Sequence, residues 1–130
     1  MEEENTEKAK KILVIEDNAI NLRMVSYALT KKGYNVITAT NGLVGFKKIN
    51  EEHPDLVILD IMLPGLDGYD ICERVRMNPE TEKIPIIMTS GKTLQDDKDI
   101  GMKMGASVYL TKPVPPSEML SNVKALLGEE

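Results

Sequence analysis

The stretch Leu56-Val57-Ile58-Leu59, which runs directly into Asp60, decides the fold of this chain. Its apolarity is continuous rather than alternating, which is typical of a strand buried on both faces of a parallel sheet. Outward from it in both directions lie three similar runs and one weaker run, at residues 12–15, 34–37, 86–88 and 108–110. The pattern predicts five buried parallel strands.

Segments with helical spacing of apolar residues lie between and after these runs, at 18–32, 41–51, 67–77, 93–104 and 119–127. The clearest apolar stripe runs from Met119 to Leu127 and follows Pro115-Pro116, a good helix start. The weakest segment, 93–104, carries Gly101 in its middle, where glycine costs about 1 kcal/mol relative to alanine. We expect it to form either a loosely docked, mobile helix or an ordinary marginal surface helix.

The alternation of strand and helix predicts an α/β fold, a doubly wound five-stranded parallel sheet with five helices. We expect a flexible N-terminal tail at 1–10, one domain at 11–127 and a C-terminal tail at 128–130, with no room for an effector domain. The two tails carry most of the net charge of −5.

Composition and local patterns exclude several classes of protein. Sixteen Lys and Arg against 21 Asp and Glu leave no overall basic surface for nucleic acid. No apolar run approaches the roughly 20 residues of a membrane span, and the start of the chain lacks a signal peptide. One cysteine, Cys72, cannot form an internal disulfide. These features predict a cytoplasmic protein without membrane insertion, with Cys72 in the core and His53 on the surface.

Polar residues follow the predicted strands where each one ends, and ligands bind at that edge of an open parallel sheet. They are Glu16, Asp17, Asp60, Thr89, Ser90, Thr111 and Lys112. Singly, each is explained as a helix cap, a turn residue or a solvated side chain. Together, an oxygen cluster suits Mg²⁺, and a cation, a lysine and a hydroxyl around one carboxylate suit phosphoryl transfer.

Four motifs carry a resemblance to a known family. They are 15–18 (Ile-Glu-Asp-Asn), 59–68 (Leu-Asp-Ile-Met-Leu-Pro-Gly-Leu-Asp-Gly), 85–91 (Pro-Ile-Ile-Met-Thr-Ser-Gly) and 105–113 (Gly-Ala-Ser-Val-Tyr-Leu-Thr-Lys-Pro). In this order and spacing, the chain resembles a two-component response-regulator receiver domain, similar to single-domain chemotaxis regulators, over about residues 11–127. The resemblance implies a flavodoxin-like fold with strand order 2-1-3-4-5.

The resemblance also implies roles for residues of the acidic cluster. Asp60 corresponds to the phosphoacceptor, which takes a phosphoryl group from a phosphohistidine. Glu16, Asp17, Asp60 and the backbone carbonyl of Met62 correspond to the Mg²⁺ ligands. Lys112 corresponds to the lysine that pairs first with the acceptor and then with the phosphate.

A second set of correspondences concerns the switch. Counting five residues from Pro85 identifies Ser90 as the switch hydroxyl, whereas Gly91 stands where the family usually has alanine. Tyr109 corresponds to the aromatic residue that changes rotamer on activation. The peptide bond between Lys112 and Pro113 corresponds to a cis bond, which is only mildly disfavoured before proline.

The function implied is a phospho-accepting switch in a two-component phosphorelay, with its output face on the fourth helix, fifth strand and fifth helix. The implied partners are a histidine kinase or histidine phosphotransfer protein and an unknown output protein bound in trans. We expect no nucleic acid partner, and a monomer or a weak phosphorylation-dependent dimer. The chain would not be a turnover enzyme, although it would catalyse its own phosphorylation and dephosphorylation.

Three alternatives remain open on the sequence. An aspartate-nucleophile phosphatase usually carries a second aspartate two residues after the first, where this chain has Met62. A flavin- or nucleotide-binding module would need a glycine-rich loop after Ile15, where Glu16-Asp17 stands instead. A phosphorylation-independent adaptor would not need the acid cluster, Ser90 or Lys112.

Overall fold

A computed structural model describes residues 9–91 and 95–129. Its five strands form one parallel sheet in the order β2-β1-β3-β4-β5. The strands are β1 (Lys11–Ile15), β2 (Asn35–Ala39), β3 (Leu56–Asp60), β4 (Ile86–Ser90) and β5 (Val108–Thr111). The helices between and after them are α1 (Ala19–Lys31), α2 (Gly42–Glu52), α3 (Gly68–Met77), α4 (Gln95–Lys103) and α5 (Pro116–Leu127). The predicted α/β fold and strand order are confirmed.

The sheet separates two hydrophobic cores, which explains why the strands are apolar without alternation. In β3, Val57 and Leu59 belong to the core that also contains Ile71 and Val75 of α3. Leu56 and Ile58 of β3 belong to a second core, built with Leu29 of α1 and with α5. Because successive side chains of a strand point to opposite faces, a strand covered by helices on both faces needs apolar residues at every position.

The packing of α2 corrects one expectation. Helical spacing in 41–51 predicts that Leu43 shares one apolar face with Phe46 and Ile49, but Leu43 is 64% exposed. Two glycines bring α2 to the rest of the fold instead. Gly42 lies directly against the backbone of Leu66, and a methyl group at Gly45 would lie 2.6 Å from Cδ1 of Ile15. This close approach turns α2 so that Leu43 faces outward.

The ends of the described chain are partly tied to the domain. The backbone N–H of Asn35 donates to the carbonyl of Lys10 at 2.9 Å. Gly128 ends α5 in the left-handed conformation, at φ 72°. Beyond it, the Glu129 carboxylate accepts a 2.6 Å hydrogen bond from the Tyr34 hydroxyl. Burial and this carboxylate raise the pKa of Tyr34 to about 12. Residues 1–8 and 130 of the expected tails lie outside the described residues.

The fourth helix contains the glycine that weakened its prediction. Residues 93 and 94 of the expected segment lie outside the described residues, and α4 begins at Gln95. Ile100 and Met102 are 43% and 49% exposed, whereas Gly101 between them is buried. Gly101 is therefore a packing position on the inner face of α4.

No helix in residues 9–91 and 95–129 has the length and apolarity that a bilayer crossing requires.

Candidate functional site

Four of the polar residues predicted to meet at the carboxyl edge of the sheet lie together there: Glu16, Asp17, Asp60 and Lys112. Glu16 follows β1, Asp60 is the last residue of β3, and Lys112 follows β5. The strands extend past the apolar runs, so Asp60 still pairs with Thr89 in the β3–β4 register. Position within or just after a paired strand fixes the backbone beneath each of these side chains, which suits a site that must hold its groups at defined distances.

A lysine bridges two buried carboxylates in this site. The Lys112 ammonium nitrogen lies 2.8 Å from Oε1 of Glu16 and 3.0 Å from Oδ2 of Asp60. The side chains of Glu16 and Asp60 are only 7% and 6% exposed. Their other oxygens accept backbone N–H groups, Glu16 from Asn18 at 3.1 Å and Asp60 from Met62 at 3.2 Å. Both carboxylates are therefore held from two directions.

The pKa values of Glu16 and Lys112 are both raised, but for different reasons. Burial raises the pKa of Glu16, and the negative charge of Asp60 adds to the rise, although hydrogen bonds from Lys112 and Asn18 oppose it. Burial alone would lower the pKa of Lys112, but its bonds to the two carboxylates outweigh that effect and raise it. The buried site therefore contains negative charge that its surroundings solvate incompletely, and a bound cation would stabilise it.

A third carboxylate completes a cluster that fits a divalent metal ion. One oxygen each from Glu16, Asp17 and Asp60 can be chosen so that all three lie within 4.8 Å of one another. Asp17 is exposed, so the cluster opens to solvent on that side. A donor set made only of carboxylate oxygens suits a hard cation such as Mg²⁺. The Met62 amide beside Asp60 shows that the backbone of residue 62 also borders the cluster.

The two hydroxyl residues of β4 face opposite sides of the sheet. Thr89 lines a cavity of about 350 Å³ on the α1–α5 side, together with Met24, Lys112 and Met119. Ser90 is fully buried, and strand alternation places it on the other side, with Met88 of the first core. Tyr109 packs against that same core. Ser90 and Tyr109 therefore share one face of the sheet, which favours Ser90 over Thr89 as the switch hydroxyl.

Backbone contacts tie the lysine to the hydroxyl residue. The Lys112 N–H donates to the Ser90 carbonyl at 2.7 Å. The peptide bond between Lys112 and Pro113 is cis. Movement at the end of β4 is thereby linked to the strand end that carries the lysine.

Residues outside the site behave as the sequence indicates. Cys72 is fully buried, and burial raises its pKa to about 11, which confirms a core side chain. His53 is exposed and ends α2 in the left-handed conformation, at φ 48°. Sequence reasoning did not single out Gly68 or Tyr69, which link α3 to the site and to Tyr109. Their only sequence signal is their place after the helix cap Asp67.

Fold and site together define a parallel α/β domain with a lysine-bridged acidic cluster at the carboxyl edge of its sheet, and comparisons with known proteins show its family. The family model described as response regulator receiver domain matches residues 12–124. The chain belongs to this family, whose members are phospho-accepting switches of two-component systems and are generally not classed as enzymes.

Three similar proteins illustrate the match. The alkaline phosphatase synthesis transcriptional regulatory protein PhoP of Bacillus subtilis is 42% identical over 118 residues, 91% of this chain and 48% of PhoP. A response regulator structure from Chloroflexus aurantiacus is 35% identical, with TM-score 0.89, covering 94% of this chain and 100% of that chain. The receiver domain of the Pseudomonas aeruginosa sensor histidine kinase PA1611 is 27% identical, with TM-score 0.85, covering 93% and 99%. The chain spans about half the length of the curated relatives it matches.

Proposed function

We propose that Asp60 accepts a phosphoryl group from a phosphohistidine of a histidine kinase or phosphotransfer protein, within a receiver domain formed by residues 11–127. The observation that carries this proposal is the Lys112 ammonium bound to both Glu16 and Asp60 in a buried acidic cluster. A phosphatase is not favoured, because the thioether of Met62 cannot transfer a proton at the position where those enzymes use a second acid.

The transfer itself needs little beyond positioning and charge. An Asp60 oxygen attacks phosphorus, the bond from phosphorus to the histidine nitrogen breaks as the new phosphorus–oxygen bond forms, and the imidazole leaves and regains a proton from solvent. Lys112 neutralises negative charge on the group being transferred, since its ammonium already contacts the acceptor at 3.0 Å. The Met62 N–H fixes one carboxylate oxygen and so orients the acceptor.

Glu16, Asp17, Asp60 and the carbonyl of Met62 would hold Mg²⁺. When bound, the ion would neutralise charge on the phosphoryl oxygens and help to orient them. The oxygen-only donor set and the raised pKa of buried Glu16 support a divalent cation here. The related PA1611 receiver domain was solved with a magnesium ion coordinated in its active site cleft, which supports the same assignment.

Phosphorylation would act by shifting a balance between two arrangements. Ser90 would move to hydrogen-bond the phosphoryl group, and Tyr109 would rotate into the space that Ser90 leaves. Their common side of the sheet supports this coupling. The change would alter the face formed by α4, β5 and α5, where Ile100 and Met102 are exposed to a partner. Phosphate can shift the balance only by its differential interaction with the two arrangements.

The same residues would catalyse both phosphorylation and dephosphorylation of Asp60. The output protein would be bound in trans by a monomer or by a weak phosphorylation-dependent dimer. We place this chemistry in the cytoplasm, a reducing compartment in which the single free cysteine is stable.

Asp60→Asn and Asp55→Asn test the acceptor against a matched control. Both variants remove one carboxylate charge, but Asp55 is exposed and its Oδ2 accepts the Lys11 N–H at 2.7 Å, away from the cluster. With a phosphorylated histidine phosphotransfer protein and Mg²⁺, we expect label that hydroxylamine and alkali remove on the wild type and on Asp55→Asn only. Undiminished label on Asp60→Asn would overturn the assignment.

A further inference from the structure

The Tyr109 ring lies directly on the backbone of α4. A methyl group at Gly101 would lie 2.7 Å from Cδ2 and 3.1 Å from Cε2 of Tyr109, and 3.0 Å from Sδ of Met88. Both distances to the ring are shorter than ordinary van der Waals contacts. Only glycine at position 101 leaves room for the ring in its present place, so Gly101 and Met88 form two walls of a slot for Tyr109.

Tyr69 forms the third side of this slot. Its hydroxyl donates to the backbone carbonyl of Asp97 in α4 at 3.4 Å. Burial raises the pKa of Tyr69, and the Tyr109 hydroxyl, with which it hydrogen-bonds, raises it further. The Tyr69 hydroxyl thus contacts both the backbone of α4 and the Tyr109 hydroxyl. Tyr69 therefore links α3, α4 and β5 at one point.

The helix that carries Tyr69 begins against the acceptor strand. The N–H of Gly68 donates to the carbonyl of Ile61 at 3.0 Å. A methyl group at Gly68 would lie 2.7 Å from the backbone oxygen of Asp60. Gly68, the residue before Tyr69, therefore contacts the backbone of the proposed acceptor Asp60. Through Tyr69, this contact connects Asp60 to Tyr109 without involving Ser90.

We propose that Tyr69 is a positioning residue of the switch, whose hydroxyl holds Tyr109 on Gly101 while Lys112 binds the free Asp60 carboxylate. The inference rests on the proposed role of Tyr109. Rotation of Tyr109 toward Ser90 takes its hydroxyl away from Tyr69 and breaks their hydrogen bond. Tyr69 therefore favours the arrangement with a free carboxylate, and by linkage it opposes the binding of a phosphoryl group.

Tyr69→Phe and Tyr34→Phe separate positioning from folding. Each variant removes one tyrosine hydroxyl that makes a hydrogen bond, but the Tyr34 partner is Glu129, away from the slot. Beryllofluoride, which mimics the phosphoryl group, is titrated calorimetrically in excess Mg²⁺. We expect Tyr69→Phe to bind it about two- to tenfold more tightly than the wild type, the usual effect of one net hydrogen bond. Tyr34→Phe should bind it with wild-type affinity.

A spectroscopic readout identifies the moving group. In Tyr69→Phe without beryllofluoride, the NMR signals of the Tyr109 ring should shift toward the positions that the wild type reaches with it. Gly101→Ala, which fills the slot from the other side and strengthens the helix, should shift the same signals and also tighten binding. It provides a second test should Tyr69→Phe fold poorly.

The outcomes distinguish the inference from the proposed function. If the wild type binds beryllofluoride but neither variant changes its affinity or the Tyr109 signals, the positioning role is refuted while Asp60 remains the acceptor. If Tyr69→Phe only lowers Tm, as Tyr34→Phe does, Tyr69 is structural and the inference fails. If the wild type does not bind beryllofluoride at all, both the proposed function and the inference fall.

Discussion

Replacing Lys112 with methionine should produce a pH-dependent loss of stability in the absence of divalent metal. The side chain keeps its length but loses the charge that contacts Glu16 and Asp60 at 2.8 and 3.0 Å. Unit charges about 3 Å apart attract by roughly 5 to 6 kcal/mol at an effective dielectric constant near 20, before desolvation is subtracted. Removing one partner of a buried ion pair leaves a net loss of about 3 to 5 kcal/mol. We therefore expect the free energy of unfolding of Lys112→Met at pH 7 to be about 3 to 5 kcal/mol lower than that of the wild type.

The sign of the pH dependence follows from Glu16. Its folded pKa is raised above the ordinary 4.5, mainly by burial, so its contribution to stability is present below that pH and is lost as pH rises through the folded value. Without Lys112, two contributions that hold this pKa down disappear. In Lys112→Met, the stability lost as Glu16 ionises should therefore be larger, and the loss should extend to higher pH. Near pH 4, where Glu16 takes up a proton, the variant should approach the wild type.

The assay is urea unfolding in a chelating buffer at a series of pH values. Lys47→Met is the matched control, because its ammonium is 73% exposed and lies 3.9 Å from Glu51. Exposed pairs of this kind contribute about 0 to 1 kcal/mol, so the control should stay near the wild type at every pH. A Lys112→Met deficit that is the same at pH 4 and pH 7 would refute the electrostatic reasoning and assign the effect to packing. Added Mg²⁺ should recover part of the deficit at pH 7.

Three further predictions concern the loop, α3 and the core. Met62→Asn should speed dephosphorylation on the order of tenfold, because an amide can orient water and a thioether cannot. Met77→Asn, which changes another exposed methionine, should leave the decay of label unchanged, and equal decay in all three proteins would contradict the idea. Arg76→Lys should lower stability by about 2 kcal/mol, or roughly 6 to 8 °C in Tm, because an ammonium cannot span the three backbone carbonyls that the guanidinium binds. Arg23→Lys is the exposed control, and equal Tm values for the two variants would argue against a stabilising role of the Arg76 guanidinium. Cys72, with a pKa near 11, should react with a thiol reagent at pH 7.5 only after unfolding; rapid labelling of the folded protein would show that the thiol is accessible.

The elements that depend on local pattern were predictable from the sequence. Continuous apolar runs identified the strands because both faces of this sheet are covered, and the stripe on α5 from Met119 to Leu127 packs on its core as predicted. The strand order came from resemblance, since nothing in local apolarity fixes which strands pair. The exposure of Leu43 was missed because glycine contacts, not side-chain periodicity, orient α2.

The site was predictable in its residue types but not in its mutual geometry. Strand ends gave the acids and the lysine, yet only the structure shows one ammonium shared between Glu16 and Asp60. Gly101 shows the limit most clearly. In the sequence, Gly101 weakens a predicted helix, whereas in the fold the absence of a side chain at this position leaves room for the Tyr109 ring. A close approach between a helix backbone and a ring on another element leaves no periodic signal.

The charge of the site, rather than the net charge of the chain, links these observations to the switch. Three carboxylates and one lysine give a formal charge of −2, which one divalent cation balances. In the proposed reaction, phosphorylation would replace the single charge of Asp60 with a group carrying about −1.5 to −2. The site would then need more positive charge, and Lys112 would have to bind the phosphate as well as Glu16. An ammonium drawn toward the phosphate would pull on a strand end that is hydrogen-bonded to the carbonyl of Ser90. In this proposal, charge compensation and the movement of Ser90 would be parts of one rearrangement.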